Sequence, residues 1–204
     1  MTGPPAALGI LLSGRGSNFL ALHHAIDRGE LPARIVQVVS NVEAAPGLAK
    51  ARELGLPAVA IPHRGVDRAD HEARVVAALR EAGAEWICLA GYMRLLSPAF
   101  VAAWPRRIVN IHPSLLPAFP GTHAQEQALT HGVKVSGCTV HLVDEGLDSG
   151  PIVVQRTVPV LDEDTPESLG ARILEQEHQA YPEALRRLLT EKWELRGRRL
   201  AFLG

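Results

Sequence analysis

The chain has 204 residues, with 21 Lys and Arg against 22 Asp and Glu, so its formal charge is −1. That balance argues against a protein that coats a polyanion, which needs a basic face to neutralise many phosphates. Hydrophobic residues at 47 % and charged residues at 21 % exclude wholesale disorder, and with 4 % aromatics the core falls to Leu, Val, Ile and Ala.

Apolar runs then alternate with amphipathic stretches. Ala7–Leu12 reads as a strand, Gly14–Asn18 as a turn into a helix that ends near Gly29, and Arg34–Val39 as a second, β-branched strand. A helical pattern over Ala44–Leu54 closes at Gly55, and Ala58–Ile61 is a short third strand. His71–Glu81 carries Val75, Val76 and Leu79 at helical spacing and stops at Gly83; Trp86–Ala90 and Ile108–Ile111 are strands four and five. This cadence predicts right-handed βαβ units: an α/β fold with a mostly parallel, Rossmann-like open twisted sheet and flanking helices. Beyond His112 the prolines Pro113, Pro117 and Pro120 exclude a regular element and imply a fixed loop. A short helix over Ala124–His131, strands at Gly137–Val143 and Pro151–Val158, and a long helix over Pro166–Leu189 complete the pattern. Thr165 is the expected N-cap of that last helix and Pro166 its first residue. The end, Trp193–Gly204, reads as a peripheral strand or loop, and one domain over 1–204 is the economical reading.

Cys88 and Cys138 sit inside apolar runs and read as buried thiols, which suits a reducing compartment. The start, MTGPPAALGILLSG, lacks the basic residues of a signal peptide, and no run approaches the ~18 apolar residues of a membrane-spanning helix. The expected location is the cytoplasm.

Three clusters carry chemistry. Leu12–Asn18, L-S-G-R-G-S-N, places glycines and helix-start amides where an anion such as phosphate is favoured. It is neither G-x-G-x-x-G, since Phe19 stands where the third glycine belongs, nor a G-K-[ST] loop, and a plain turn with Ser17 or Asn18 capping the helix fits equally well. In Val109–Pro117, V-N-I-H-P-S-L-L-P, strand alternation puts Asn110 and His112 on one face at the carboxyl end of a strand, where parallel sheets build ligand sites. An amide donor beside an imidazole can hold an oxyanion while a proton moves; the same pair could also serve only to tie down the loop. In Val140–Pro151 a strand runs into a loop with Asp144, Glu145 and Asp148, either a partner for a histidine or a solvated acidic turn. No H-E-x-x-H or C-x-x-C spacing is present, so no metal is expected.

Taken together, S-G-R-G-S-N at Ser13–Asn18, L-A-G-Y-M-R-L-L-S at Leu89–Ser97, N-I-H-P-S-L-L-P at Asn110–Pro117 and T-V-H-L-V-D-E-G-L-D-S-G-P at Thr139–Pro151 resemble the phosphoribosylglycinamide formyltransferases. These are formyltetrahydrofolate-using enzymes of purine synthesis, and the likeness runs in order from about Leu8 to Tyr181. It implies transfer of a formyl group from the cosubstrate 10-formyltetrahydrofolate to the amine of 5-phosphoribosylglycinamide, in de novo synthesis of IMP. It also implies roles for residues. His112 would move protons, Asn110 would donate to the oxyanion, and Asp148 would orient the imidazole and favour its charged form. Gly16, Ser17 and Asn18 would hold the ribonucleotide phosphate, and Glu177, in Q-E-H-x-x-Y-P at Gln176–Pro182, would accept from ribose hydroxyls. Arg68, Met93, Arg94, Leu95, Leu96, Asn110 and Asp144 would serve the folate. On this likeness 7–113 is a nucleotide-binding half, 114–190 a folate-side half and 191–204 a peripheral tail. The implied partners are small-molecule substrates, with no nucleic acid and no membrane, and a homodimer is admitted.

Gln125 stands where some relatives carry a further histidine. The rival reading is a formyltetrahydrofolate deformylase, which usually carries an N-terminal regulatory domain and a second histidine at the position of Pro113. A methionyl-tRNA formyltransferase would have an arginine-centred segment where Ala118–Gly121 stands, and a catalytically silent folate-binding module would have little use for Asn110, His112 and Asp148 together.

Overall fold

Apolar runs of the first half become parallel strands, and those at Ala6–Leu12 and Trp86–Leu89 are buried on both faces. The computed structural model describes residues 3–203, and the chain divides into two compact units, Met1–Val109 and Asn110–Gly204. In the first unit the strands are β1 (Ala6–Leu12), β2 (Ala33–Ser40), β3 (Ala58–Ala60) and β4 (Trp86–Leu89), in the order β3-β2-β1-β4 with every pairing parallel. All of β1 after Ala6 is buried, as expected of a central parallel strand covered by helices on both sides. The helices are α1 (Ser17–Asp27), α2 (Pro46–Glu53), α3 (Arg68–Glu81) and α4 (Pro98–Ala103).

Three of these starts differ from the sequence reading, α2 beginning at Pro46 and not at Ala44. Helix α3 begins three residues earlier than His71, because the Asp67 carboxylate caps it by accepting from Ala69 N at 2.7 Å and Asp70 N at 3.4 Å. Helix α4 had no sequence-based counterpart; Ser97 caps it by accepting from Phe100 N at 3.2 Å, and Pro98 fills the first turn, where its missing N–H costs nothing.

Strand β5 (Ile108–His112) carries the boundary between the units, and its last three residues open the second. There β6 (Val135–Leu142) follows β5 in the sheet and pairs antiparallel with β7 (Ile152–Pro159), with an irregularity in register at Val140/His141. The sheet is thus mostly parallel, as the α/β reading requires. Helix α5 (Ala124–Thr130) is short, and α6 (Pro166–Thr190) runs 25 residues with Pro182 inside it. The cap of α6 is a reciprocal pair: Ser168 N donates to Thr165 Oγ1 at 3.2 Å and Thr165 N to Ser168 Oγ at 3.0 Å. Residues 192–203 form a hairpin, β8 (Lys192–Arg196) and β9 (Arg199–Leu203), turned by Gly197 and Arg198. Among the described residues no helix is long and apolar enough to cross a membrane.

Candidate active site

Asn110, His112 and Asp148 come together in the second unit. Asn110 and His112 alternate along β5 onto one side, and Asp148 reaches them from the turn between β6 and β7. His112 Nδ1 lies 3.4 Å from Asp148 Oδ2, and both side chains are nearly buried, at 5 % and 12 % exposure. The other ring nitrogen, Nε2, lies 2.8 Å from the Phe119 carbonyl; a carbonyl only accepts, so Nε2 carries a proton. Asp148 Oδ2 also accepts from Gly121 N at 2.8 Å.

The fourth member of the group is His141, on β6. Asn110 Nδ2 donates to His141 Nε2 over 3.1 Å, which forces the proton of that ring onto Nδ1, and Nδ1 donates to the Leu142 carbonyl at 2.9 Å. Burial holds the His141 pKa below the ordinary histidine range, with the Asp148 carboxylate opposing as a smaller effect, so the ring is the neutral acceptor this network needs. The second N–H of Asn110 lies 3.5 Å from Asp148 Oδ1, the outer limit of a hydrogen bond, and is the donor best able to turn to a substrate oxygen. His141 stood in the T-V-H-L-V-D segment without a role. Its alternation with Thr139 along one strand was the available signal, but its distance to Asn110 is a tertiary fact.

Backbone conformation and buried polar contacts position the group. Asp148 has φ +48°, a left-handed geometry that Asp tolerates better than most residues. Gly150 approaches so closely that an added Cβ would lie 1.9 Å from the Leu142 carbonyl oxygen. The proline loop is held by Thr139 Oγ1, which donates to the Ser114 carbonyl at 2.7 Å and accepts from Leu116 N at 3.0 Å. Gln155 Nε2 adds donations to Thr139 Oγ1 and to the Leu116 carbonyl. This loop presents both the Phe119 carbonyl and the Gly121 N–H, so its order and that of the His112–Asp148 pair are linked.

The remaining residues singled out from the sequence divide between the units. In the first, Gly16 is the N-cap of α1 at φ +74°, with no side-chain cap; neither Ser17 nor Asn18 fills that place. An added Cβ on Gly16 would lie 2.9 Å from the Gly47 backbone, so the turn is packed glycine on glycine. The first-turn amides of α1 sit where a helix start favours an anion.

The 92–97 segment, also in the first unit, is pinned at three points. Ser13 Oγ accepts from Met93 N at 2.8 Å and itself donates to Asn41 Oδ1 at 2.6 Å. Arg68 Nη2 donates to the Leu95 carbonyl at 2.9 Å, and Glu72 accepts from both Ser97 N and Ser97 Oγ. Between these ties Met93 and Leu95 stand 74 % and 60 % exposed, an ordered apolar surface. Arg94 and Leu96 beside them are partly exposed.

In the second unit Asp144 Oδ1 accepts from Gly146 N at 3.1 Å and Ser149 Oγ at 2.6 Å, closing its own turn, and Glu177 is buried on α6. Among the described residues no three His, Cys, Asp or Glu side chains group as metal ligands would.

Residues 8–185 match the model of the formyl transferase family. The chain is 47 % identical over 184 residues to the trifunctional purine biosynthetic protein adenosine-3 of Drosophila melanogaster, covering 89 % of this chain and 14 % of that protein. It is 40 % identical to the phosphoribosylglycinamide formyltransferase of Bacillus subtilis, covering 88 % of this chain and 93 % of that one. Among solved structures, glycinamide ribonucleotide transformylase 1 from Symbiobacterium toebii superposes with a TM-score of 0.96 at 45 % identity, over 99 % of this chain and 96 % of its own. A formyltetrahydrofolate deformylase from Pseudomonas syringae shares the fold with a TM-score of 0.93 at 26 % identity, over all of this chain and 67 % of its own. With the family model matching most of its length and a relative of similar size at 40 % identity, the chain belongs to the formyl transferase family.

Proposed function

We propose that the protein transfers the formyl group of 10-formyltetrahydrofolate to the amine of 5-phosphoribosylglycinamide, in the cytoplasm, as a step of purine synthesis. The observation that carries this reading is the close grouping of Asn110 and Asp148 with the buried His112. Attack of an amine on a formyl carbon places negative charge on the carbonyl oxygen, and the second N–H of Asn110 is the donor for it. The attacking amine must lose a proton and the departing nitrogen must gain one. His112 is the group for both transfers, oriented through Nδ1 by Asp148. Because Nε2 donates to the Phe119 carbonyl, proton transfer through that nitrogen requires this contact to open.

In the same reading the α1 start at Gly16, Ser17 and Asn18 takes the phosphate, and Glu177 accepts from the ribose hydroxyls. Met93 and Leu95 supply apolar contact for the folate ring system, and Arg68, Arg94, Leu96 and Asp144 are the other residues that serve it. The exposed apolar segment fits such a ring system, since its backbone is already held by Ser13, Arg68 and Glu72 before anything binds.

The test is release of tetrahydrofolate from 10-formyltetrahydrofolate with and without the ribonucleotide. Formyl transfer should depend strictly on the ribonucleotide. Formate released at a comparable rate without it would replace this reading with a deformylase.

A further inference from the structure

We propose that the C-terminal hairpin supports the catalytic group, with Arg198 as a positioning residue for Asp148; this rests on the role proposed for Asp148 above. The turn that carries Asp148 is tied internally through Asp144, which accepts from Gly146 N and Ser149 Oγ, but those bonds tie the turn only to itself. Arg198 reaches it from a distant part of the chain, with Nη2 donating to the carbonyl of Ser149, the residue directly after Asp148. A guanidinium donating to a carbonyl is a charge-assisted bond, stronger than a neutral one. It restrains the peptide next to a residue whose backbone sits at φ +48°, a left-handed conformation that few residues other than Gly, Asn and Asp adopt.

The hairpin is itself anchored, which a positioning device requires. Trp193 Nε1 donates to the Leu188 carbonyl of α6 at 3.1 Å, and the Arg187 guanidinium stacks 3.7 Å from the centre of the Phe202 ring. Strand β9 also lies against β7, the strand that continues from the Asp148 turn. Arg198 sits in the two-residue connection of the hairpin, where Gly197 at φ +62° supplies the reversal that aims it at Ser149. A cavity of about 540 Å³ is lined from both sides, by Leu116, Asp148 and Ser149 and by Arg198, Arg199 and Leu200 among others, so the hairpin and the Asp148 turn face one space. The charged and titratable groups around Asp148 are then His112 and His141 on the strand side, Asp144 in its own turn, and Arg198 and Arg199 on the hairpin side.

The experiment compares Arg198→Ala, Arg198→Lys and the control Arg196→Ala, which removes an equal charge, one paired with exposed Glu194. Each full-length variant is assayed for kcat, for KM of both substrates, for the pH profile of kcat and for melting temperature, beside His112→Ala and Asp148→Asn. Arg198→Ala should lose about 10- to 100-fold in kcat with both KM values unchanged, the size expected when a catalytic group is misplaced by a fraction of an ångström to an ångström. Its pH profile should move toward that of Asp148→Asn, Arg198→Lys should recover most of the rate, and Arg196→Ala should behave as the parent. Wild-type kcat and pH profile in Arg198→Ala would overturn the proposal, as would a loss that follows a lowered melting temperature and is not recovered by lysine. If His112→Ala keeps its turnover, the functional reading itself fails. If His112→Ala is inactive while Arg198→Ala is normal, only the role of Arg198 is lost.

Discussion

Asp148 concentrates the constraints of the site into one side chain. Its carboxylate lies near His112 Nδ1, the Asn110 amide and His141 Nε2, and accepts from Gly121 N. Asn also tolerates the left-handed backbone, so Asp148→Asn should keep its melting temperature within a few degrees while kcat falls. Equal loss of stability and activity would show that the carboxylate serves the fold instead. Asn110→Ala should reduce kcat by about 10²–10³, the usual cost of one oxyanion donor, with little change in KM for the ribonucleotide. Steady-state kinetics on both substrates checks this, and a change confined to KM would remove Asn110 from the chemistry.

At the level of elements, the proline loop and the α6 cap make opposite kinds of contribution. Thr139→Val removes the hydroxyl that serves Ser114, Leu116 and Gln155 and leaves the Leu116 N–H buried without that acceptor, at a cost of about 1–3 kcal/mol. The same change loosens the loop that presents the Phe119 carbonyl and the Gly121 N–H, so kcat should fall further than the stability loss alone accounts for. Thr165→Ala removes the cap of α6 and should cost about 1 kcal/mol. In a chain of this size that is about 2–4 °C in Tm, and the site should not sense it. Calorimetry and turnover measured on both variants separate a loop that positions from a helix end that only stabilises.

For the molecule as a whole, three histidines whose charged form is disfavoured by burial contribute to the loss of stability on the acid side. Burial lowers the pKa of His141, His71 and His178, whereas in the unfolded chain a histidine takes up its proton near pH 6.5. Between that value and the lower folded one the unfolded state binds more protons, so stability is retained at neutral pH and falls as pH drops below about 6.5. Melting temperatures measured from pH 7.5 to 5.5 should show this decline, and His141→Gln should make it shallower. A curve for His141→Gln parallel to that of the parent would mean that His141 does not contribute.

Alternating apolar runs and glycine stops determined the order of strands and helices, because burial on both faces and the punctuation of turns are properties of short segments. The adjacency of Asn110 and His112 on one side of β5 was likewise local, a consequence of a two-residue repeat. The Thr165 cap was legible for the same reason. What the sequence could not state were distances between segments remote in the chain. The meeting of Asp148 with His112, the neutral His141 beneath Asn110, the Ser13 hydroxyl under Met93 and the reach of Arg198 to the Ser149 carbonyl each join residues that only the folded packing brings together. Local periodicity records which face a residue presents, and the tertiary structure alone decides what that face meets.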